Sequence, residues 1–124
     1  MTDKSQTRHP FLDDLAPDAE LESTVLRRAV KGRENITRLV NAVGSLYGTQ
    51  TPVFLQRFGP RSVLQYDAIL VNGLALRGTA VIEHSPDGSI PKVSVTFSPL
   101  GSTISLAAKL GALLDQELGE DLFL

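Results

Sequence analysis

Three strand-like stretches in succession, separated by tight-turn signals, constrain this chain more than any other feature. "SVLQYDAIL" ends at Asn72-Gly73, a dipeptide suited to the positive backbone angles of a hairpin turn. "LALRGTAVIEHS" runs into Pro86-Asp87-Gly88, a second turn signal, and "SIPKVSVTFS" follows it. Strands joined this way form an antiparallel meander. A fourth stretch, "PVFLQRF", precedes them between Pro52 and Gly59-Pro60.

Helical periodicity flanks the meander. In "RENITRLVNAVGSLYG", Ile36, Leu39, Val40, Val43, Leu46 and Tyr47 recur at steps of three and four, which makes one apolar stripe. Gly48 is placed to stop this helix. "PLGSTISLAAKLGALLDQELG" closes the chain as a second helix, with Ile104, Leu106, Leu110, Leu113 and Leu114 on its apolar side and Pro99 at its start. Upstream, "HPFLDDLAPD" offers a short helical turn ended by Pro17, and "AELESTVL" reads as a strand. The order is helical turn, strand, helix, three or four strands, helix: an α+β domain with a curved antiparallel sheet.

Composition narrows the function classes. Of 124 residues, 42% are hydrophobic and 21% charged, a balance that folds without staples. One domain over residues 9–124 is expected, with a polar tail at 1–8. Twelve basic against fourteen acidic residues give a net charge of −2, which argues against a nucleic-acid partner and supplies no polybasic segment for a membrane. No apolar run approaches the ~20 residues needed to span a bilayer. There is no cysteine, so disulfides, thiolate catalysis and cysteine-bound zinc are excluded. His9 and His84 are too far apart to suggest a metal site, and no cofactor is implied. The N-terminal stretch lacks the apolar segment of a signal peptide, and a cytoplasmic protein is expected.

The phrases "LAPDAELESTVL", "VKGRENI", "HSPDGSI" and "VTFSPLGSTISL", in that order and spacing, resemble the nuclear-transport-factor-2-like superfamily in its SnoaL-like branch. The resemblance spans roughly residues 9 to 115. It includes a Gly-Arg-Glu helix entry at Gly32-Arg33-Glu34 and an Asp-Gly turn at Asp87-Gly88; the usual Arg-Pro-Leu close is here Ser98-Pro99-Leu100. It implies a cystatin-like cone: a strongly curved sheet wrapped around helices, with a pocket between its concave face and the helices. Isomerases, cyclases, hydrolases and simple binding proteins share that scaffold, so the site must decide the function.

If the turns set the register, the pocket face carries Val63, Gln65, Asp67 and Ile69, then Leu76, Gly78, Ala80, Ile82 and His84, then Val93, Val95 and Phe97. A slip of one residue would invert a strand's whole set. Ser23 and Tyr47 complete the expected lining. Carried over residue by residue, the resemblance leaves the known mechanisms incomplete. The steroid-isomerase base falls at Ser23, its hydrogen-bonding acid at Ala80, and the acid of the last strand at Val95. On the strand before the Asn-Gly turn, an Arg/Asp pair becomes Gln65 and Asp67. Asp67 is therefore the main candidate for acid/base chemistry, with Gln65 orienting the substrate and His84 a lesser candidate. Pairing of Asp67 with Arg57 or Arg77, or an outward orientation, remains open. The expected ligand is a compact, mostly apolar molecule. A homodimer is expected through an outer sheet face made of Leu64, Tyr66, Ala68, Leu70, Thr79, Val81, Ser94 and Thr96. The alternatives to chemistry are simple ligand binding and a protein-interaction module.

Overall fold

A computed structural model describes residues 10–119 and 121–124; His9 and the polar tail expected at 1–8 lie outside them. A 3₁₀ turn, Pro10–Asp14, leads into β1 (Leu15–Ser23). The short β2 (Val30–Lys31) precedes α1 (Arg33–Ser45). Then come β3 (Tyr47–Phe58), β4 (Arg61–Leu70), β5 (Ala75–Glu83) and β6 (Ile90–Ser98), and α2 (Leu100–Leu118) closes the fold. The six strands form one sheet in the order β2-β1-β6-β5-β4-β3. The meander stands as its turns dictate, with Gly73 and Gly88 both at positive φ. The sheet is not wholly antiparallel: β1 returns to lie parallel to β6, Leu21 beside Val93 and Ser23 beside Val95.

α1 buries Ile36, Leu39, Val40 and Val43, the expected stripe, and packs across β1. It ends at Ser45, before Gly48, which is already in β3. α2 buries three of the five residues expected on its apolar side, Leu106, Leu110 and Leu114, with the buried face rotated slightly toward Thr103 and Ala107. Thr103, Leu106, Ala107, Leu110 and Leu114 are buried, whereas Ile104 and Leu113 are exposed. Small Ser102, Thr103 and Ala107 let the helix sit close to the sheet, and the Ser102 hydroxyl donates to the Ala75 carbonyl at 2.6 Å. β1 starts earlier than expected and runs through Pro17. β3 likewise includes Pro52 and is an edge strand, where a missing N–H is tolerated.

The register of β4 corrects the expected pocket face. Tyr66, Ala68 and Leu70 are buried, and Ser62 and Leu64 share their side, so the even-numbered residues point into the cone. Val63, Gln65, Asp67 and Ile69 are on the convex side. Burial of apolar volume is the cause. The even set offers two leucines, a tyrosine and an alanine, whereas the odd set would bury a carboxylate and an amide, which is costly without partners. On β5 and β6 the expected faces hold: Leu76, Gly78, Ala80, Ile82 and Val93 are buried, and Val95 and Phe97 pack against the core. The same slip removes Leu64, Tyr66, Ala68 and Leu70 from the outer surface on which a dimer contact was expected.

Candidate functional site

Cross-strand rows on the concave face build the floor of a cavity. One row runs Ser23, Val95, Ala80 and Leu64 across β1, β6, β5 and β4. The next runs Phe97, Gly78 and Tyr66. Leu39, Val40 and Val43 of α1 form the opposing wall, with Phe11, Leu21 and Val25 completing the lining. The space open to a water-sized sphere is small, about 30 Å³, and the rest of the gap between the walls is continuous with solvent. Ala80 keeps one position of the floor small. Gly78 does not leave a gap, because the Tyr66 ring occupies the place of its missing side chain.

Tyr66 and Ser23 are the polar residues of the lining. The Tyr66 hydroxyl lies 2.7 Å from that of Tyr47, and the two rings meet at a tilt of 56°. Burial pushes the Tyr47 phenol upward, reinforced by Tyr66 nearby. Burial raises Tyr66 as well, against the lowering effect of the Tyr47 hydrogen bond. Both are therefore neutral phenols at physiological pH, able to donate as well as accept. Ser23 Oγ accepts the Val25 N–H at 3.3 Å, which fixes the hydroxyl at the end of β1.

The site residues expected from sequence divide into three groups. Ser23, Ala80, Val95 and Phe97 line the cavity. Leu76, Ile82 and Val93 are buried in the core beside it, and Tyr47 stands behind Tyr66. Val63, Gln65, Asp67 and Ile69 are on the other side of the sheet, so the placement of Asp67 and Gln65 in the cavity is corrected. Asp67 accepts both bonds of a two-point contact from Arg77, Nε at 2.7 Å and Nη2 at 3.1 Å. The pair is about half exposed (51% and 46%). The Arg77 hydrogen bond holds the Asp67 carboxyl below its usual range. Gln65 donates to Thr79 Oγ1 at 3.1 Å on the same convex face. His84 does not line the cavity; its Nε2 is 2.7 Å from Ser62 Oγ.

Sequence reasoning missed Tyr66 as a lining residue, since the inverted register put it outside. The α1 wall was visible as a core stripe, with nothing to distinguish a cavity wall from ordinary packing. Among the described residues no carboxylate or imidazole lines the cavity, and no group of three or more His, Asp or Glu side chains is placed to hold a metal ion. No helix among them is long and apolar enough to cross a membrane.

No protein-family model matches the chain, and no curated protein matches it by sequence. Solved structures do. A steroid delta-isomerase from Pseudomonas aeruginosa superposes with a TM-score of 0.80 at 20% identity, covering 92% of this chain and 85% of that one. An uncharacterised protein with a cystatin-like fold from Silicibacter pomeroyi gives 0.79 at 17% identity, over 86% and 75%. A protein of the SnoaL-like family from Agrobacterium tumefaciens gives 0.57 at 16%, over 80% and 86%. Two further similar structures are nuclear-transport-factor-2-like proteins of unknown function. The chain has the nuclear-transport-factor-2-like, cystatin-like α+β fold: a curved, unclosed six-stranded sheet around helices.

Proposed function

We propose that this is a SnoaL-like small-molecule-binding protein whose ligand occupies the cavity between the concave sheet face and α1. The carrying observation is the lining: nine apolar residues with only Ser23 and Tyr66 as polar members. Such a site favours a compact, mostly apolar molecule with one or two hydrogen-bonding atoms, a carbonyl or hydroxyl, held at the Ser23 side. Acid/base turnover needs a titratable group within about 3 Å of the proton it moves, and the lining supplies none that titrates near neutrality. Binding is therefore preferred over chemistry in this cavity. Native mass spectrometry against compact apolar ketones and alcohols tests the reading. One ligand per chain is expected, with loss of the complex in Ala80→Phe, which fills the floor. Equal binding by that variant would refute it.

A homodimer through the convex face belongs to the same proposal, on a corrected set of residues. Phe54 and Phe58 of β3 are 45% and 56% exposed, and their register partners, Gln65 and Arg61, put them on the convex side, flanking the row of Gln56, Val63 and Val81. Exposed aromatic residues grouped with β-branched ones mark an interaction surface. The proposed location is the cytoplasm.

A further inference from the structure

His84 is a base without a visible partner in the sequence, and the fold supplies one. Ser62 stands 22 positions earlier in the chain, on the inner face of β4, and its Oγ lies 2.7 Å from His84 Nε2. The histidine is fixed from its backbone side as well: its N–H donates to the Pro60 carbonyl at 2.7 Å, tying it to the β3–β4 turn. Ser62 is buried and His84 half-buried. In register, Ser62 sits between Ile82 on β5 and Arg57 on β3. Residues paired across strands point to the same side, so Arg57 shares the inner face. Leu55, facing the same way, is 66% exposed, so this end of the concave face is open along β3. Arg57 Nε donates to the Gly59 carbonyl at 2.7 Å, which anchors the guanidinium beside the turn. Neither Ser62 nor His84 touches the apolar cavity.

We propose that Ser62 and His84 form a nucleophile–base pair, separate from the apolar cavity, that accepts the acyl group of small activated esters. A serine hydroxyl is a weak nucleophile until a neutral imidazole within hydrogen-bond reach takes its proton. Burial, then the positive charge of Arg57, hold His84 below its ordinary range, while Asp14 on the 3₁₀ turn acts in the opposite direction. The imidazole is therefore the free base at neutral pH. In the step, Ser62 Oγ bonds to the ester carbonyl carbon as its proton passes to His84 Nε2. The tetrahedral adduct collapses by breaking the bond to the leaving alkoxide or aryloxide, which takes that proton. Water then cleaves the acyl-serine with His84 again as base, releasing the acid. Arg57 puts positive charge on the face where the oxyanion forms.

The test uses the full chain and an aryl fluorophosphonate, whose P–F bond is exchanged for a P–Oγ bond with loss of fluoride. Peptide mass mapping of the wild type should find one adduct, on Ser62, and Ser62→Ala should show none. His84→Gln should slow labelling by ~10²-fold or more. The wild-type rate should rise with pH and reach its half-maximum below the ordinary histidine value of about 6.5. Circular dichroism establishes that each protein is folded. A folded wild type with no adduct at Ser62, or a folded His84→Gln labelled at the wild-type rate, would overturn the proposal.

Discussion

Tyr66 lies across Gly78 so closely that a β-carbon on the glycine would fall 2.5 Å from the tyrosine Cζ and 2.6 Å from its hydroxyl. The two are cross-strand partners, and both are buried. The glycine is thus required by the ring above it rather than by a turn. The ring in turn brings its hydroxyl to Tyr47 and closes one side of the cavity. Gly78→Ala should force Tyr66 out of its rotamer and destabilise the fold by about 1–3 kcal/mol, the usual range for overpacking. Denaturant unfolding checks this. The cost should shrink when Tyr66→Ala is already present, because the clash then has no partner.

Asp67 and Arg77 make a surface ion pair on the convex face. Asp67→Asn should leave the fold intact, with a small loss of stability that disappears at high salt. The native pair lowers the folded-state pKa of Asp67, so its contribution is full above the unfolded value of about 3.9 and is lost as pH falls through the lower folded value. The stability difference between wild type and variant, followed by thermal unfolding, should therefore begin to shrink near about pH 4 and vanish only below the lowered folded-state value. A difference that instead grew toward acid would contradict the pairing.

The convex face makes an independent prediction. Light scattering at about 50 μM should give twice the monomer mass, well above a dissociation constant of about 1 μM. Phe54→Ser with Phe58→Ser should shift the protein to monomer while its circular dichroism stays native. Dimers that survive both changes would place the interface elsewhere.

The fold was legible in the sequence because it rests on signals of order and spacing: the Asn72-Gly73 and Asp87-Gly88 turns, the α1 stripe, and the succession of motif phrases. The parallel return of β1 to β6 was not, since nothing local encodes a pairing between strands so distant in the chain. The site was half legible. β5 and β6 alternate cleanly, so the face of the sheet that carries Ala80, Val95 and Phe97 was legible. β4 carries usable residues on both faces, and the acid position implied by the resemblance favoured the odd set. Apolar volume favours the even set: Leu64, Tyr66, Ala68 and Leu70 against only Val63 and Ile69. Weighing that volume would have brought Tyr66 to the cavity, and Ser62 to the same face as His84.

That inversion also defines the most direct measurement. With methyl-labelled leucine, valine and isoleucine, 2-tetralone, a compact apolar ketone, can be titrated into the protein and its contacts read by NMR. Binding in the concave cavity predicts saturable shifts at Leu39, Val40, Val43 and Val95, with a dissociation constant below about 1 mM. Those shifts should be lost in Ala80→Phe and unchanged in Asp67→Asn. Shifts confined to Val63, Ile69 and Val81 on the convex side, or abolished by Asp67→Asn, would contradict it.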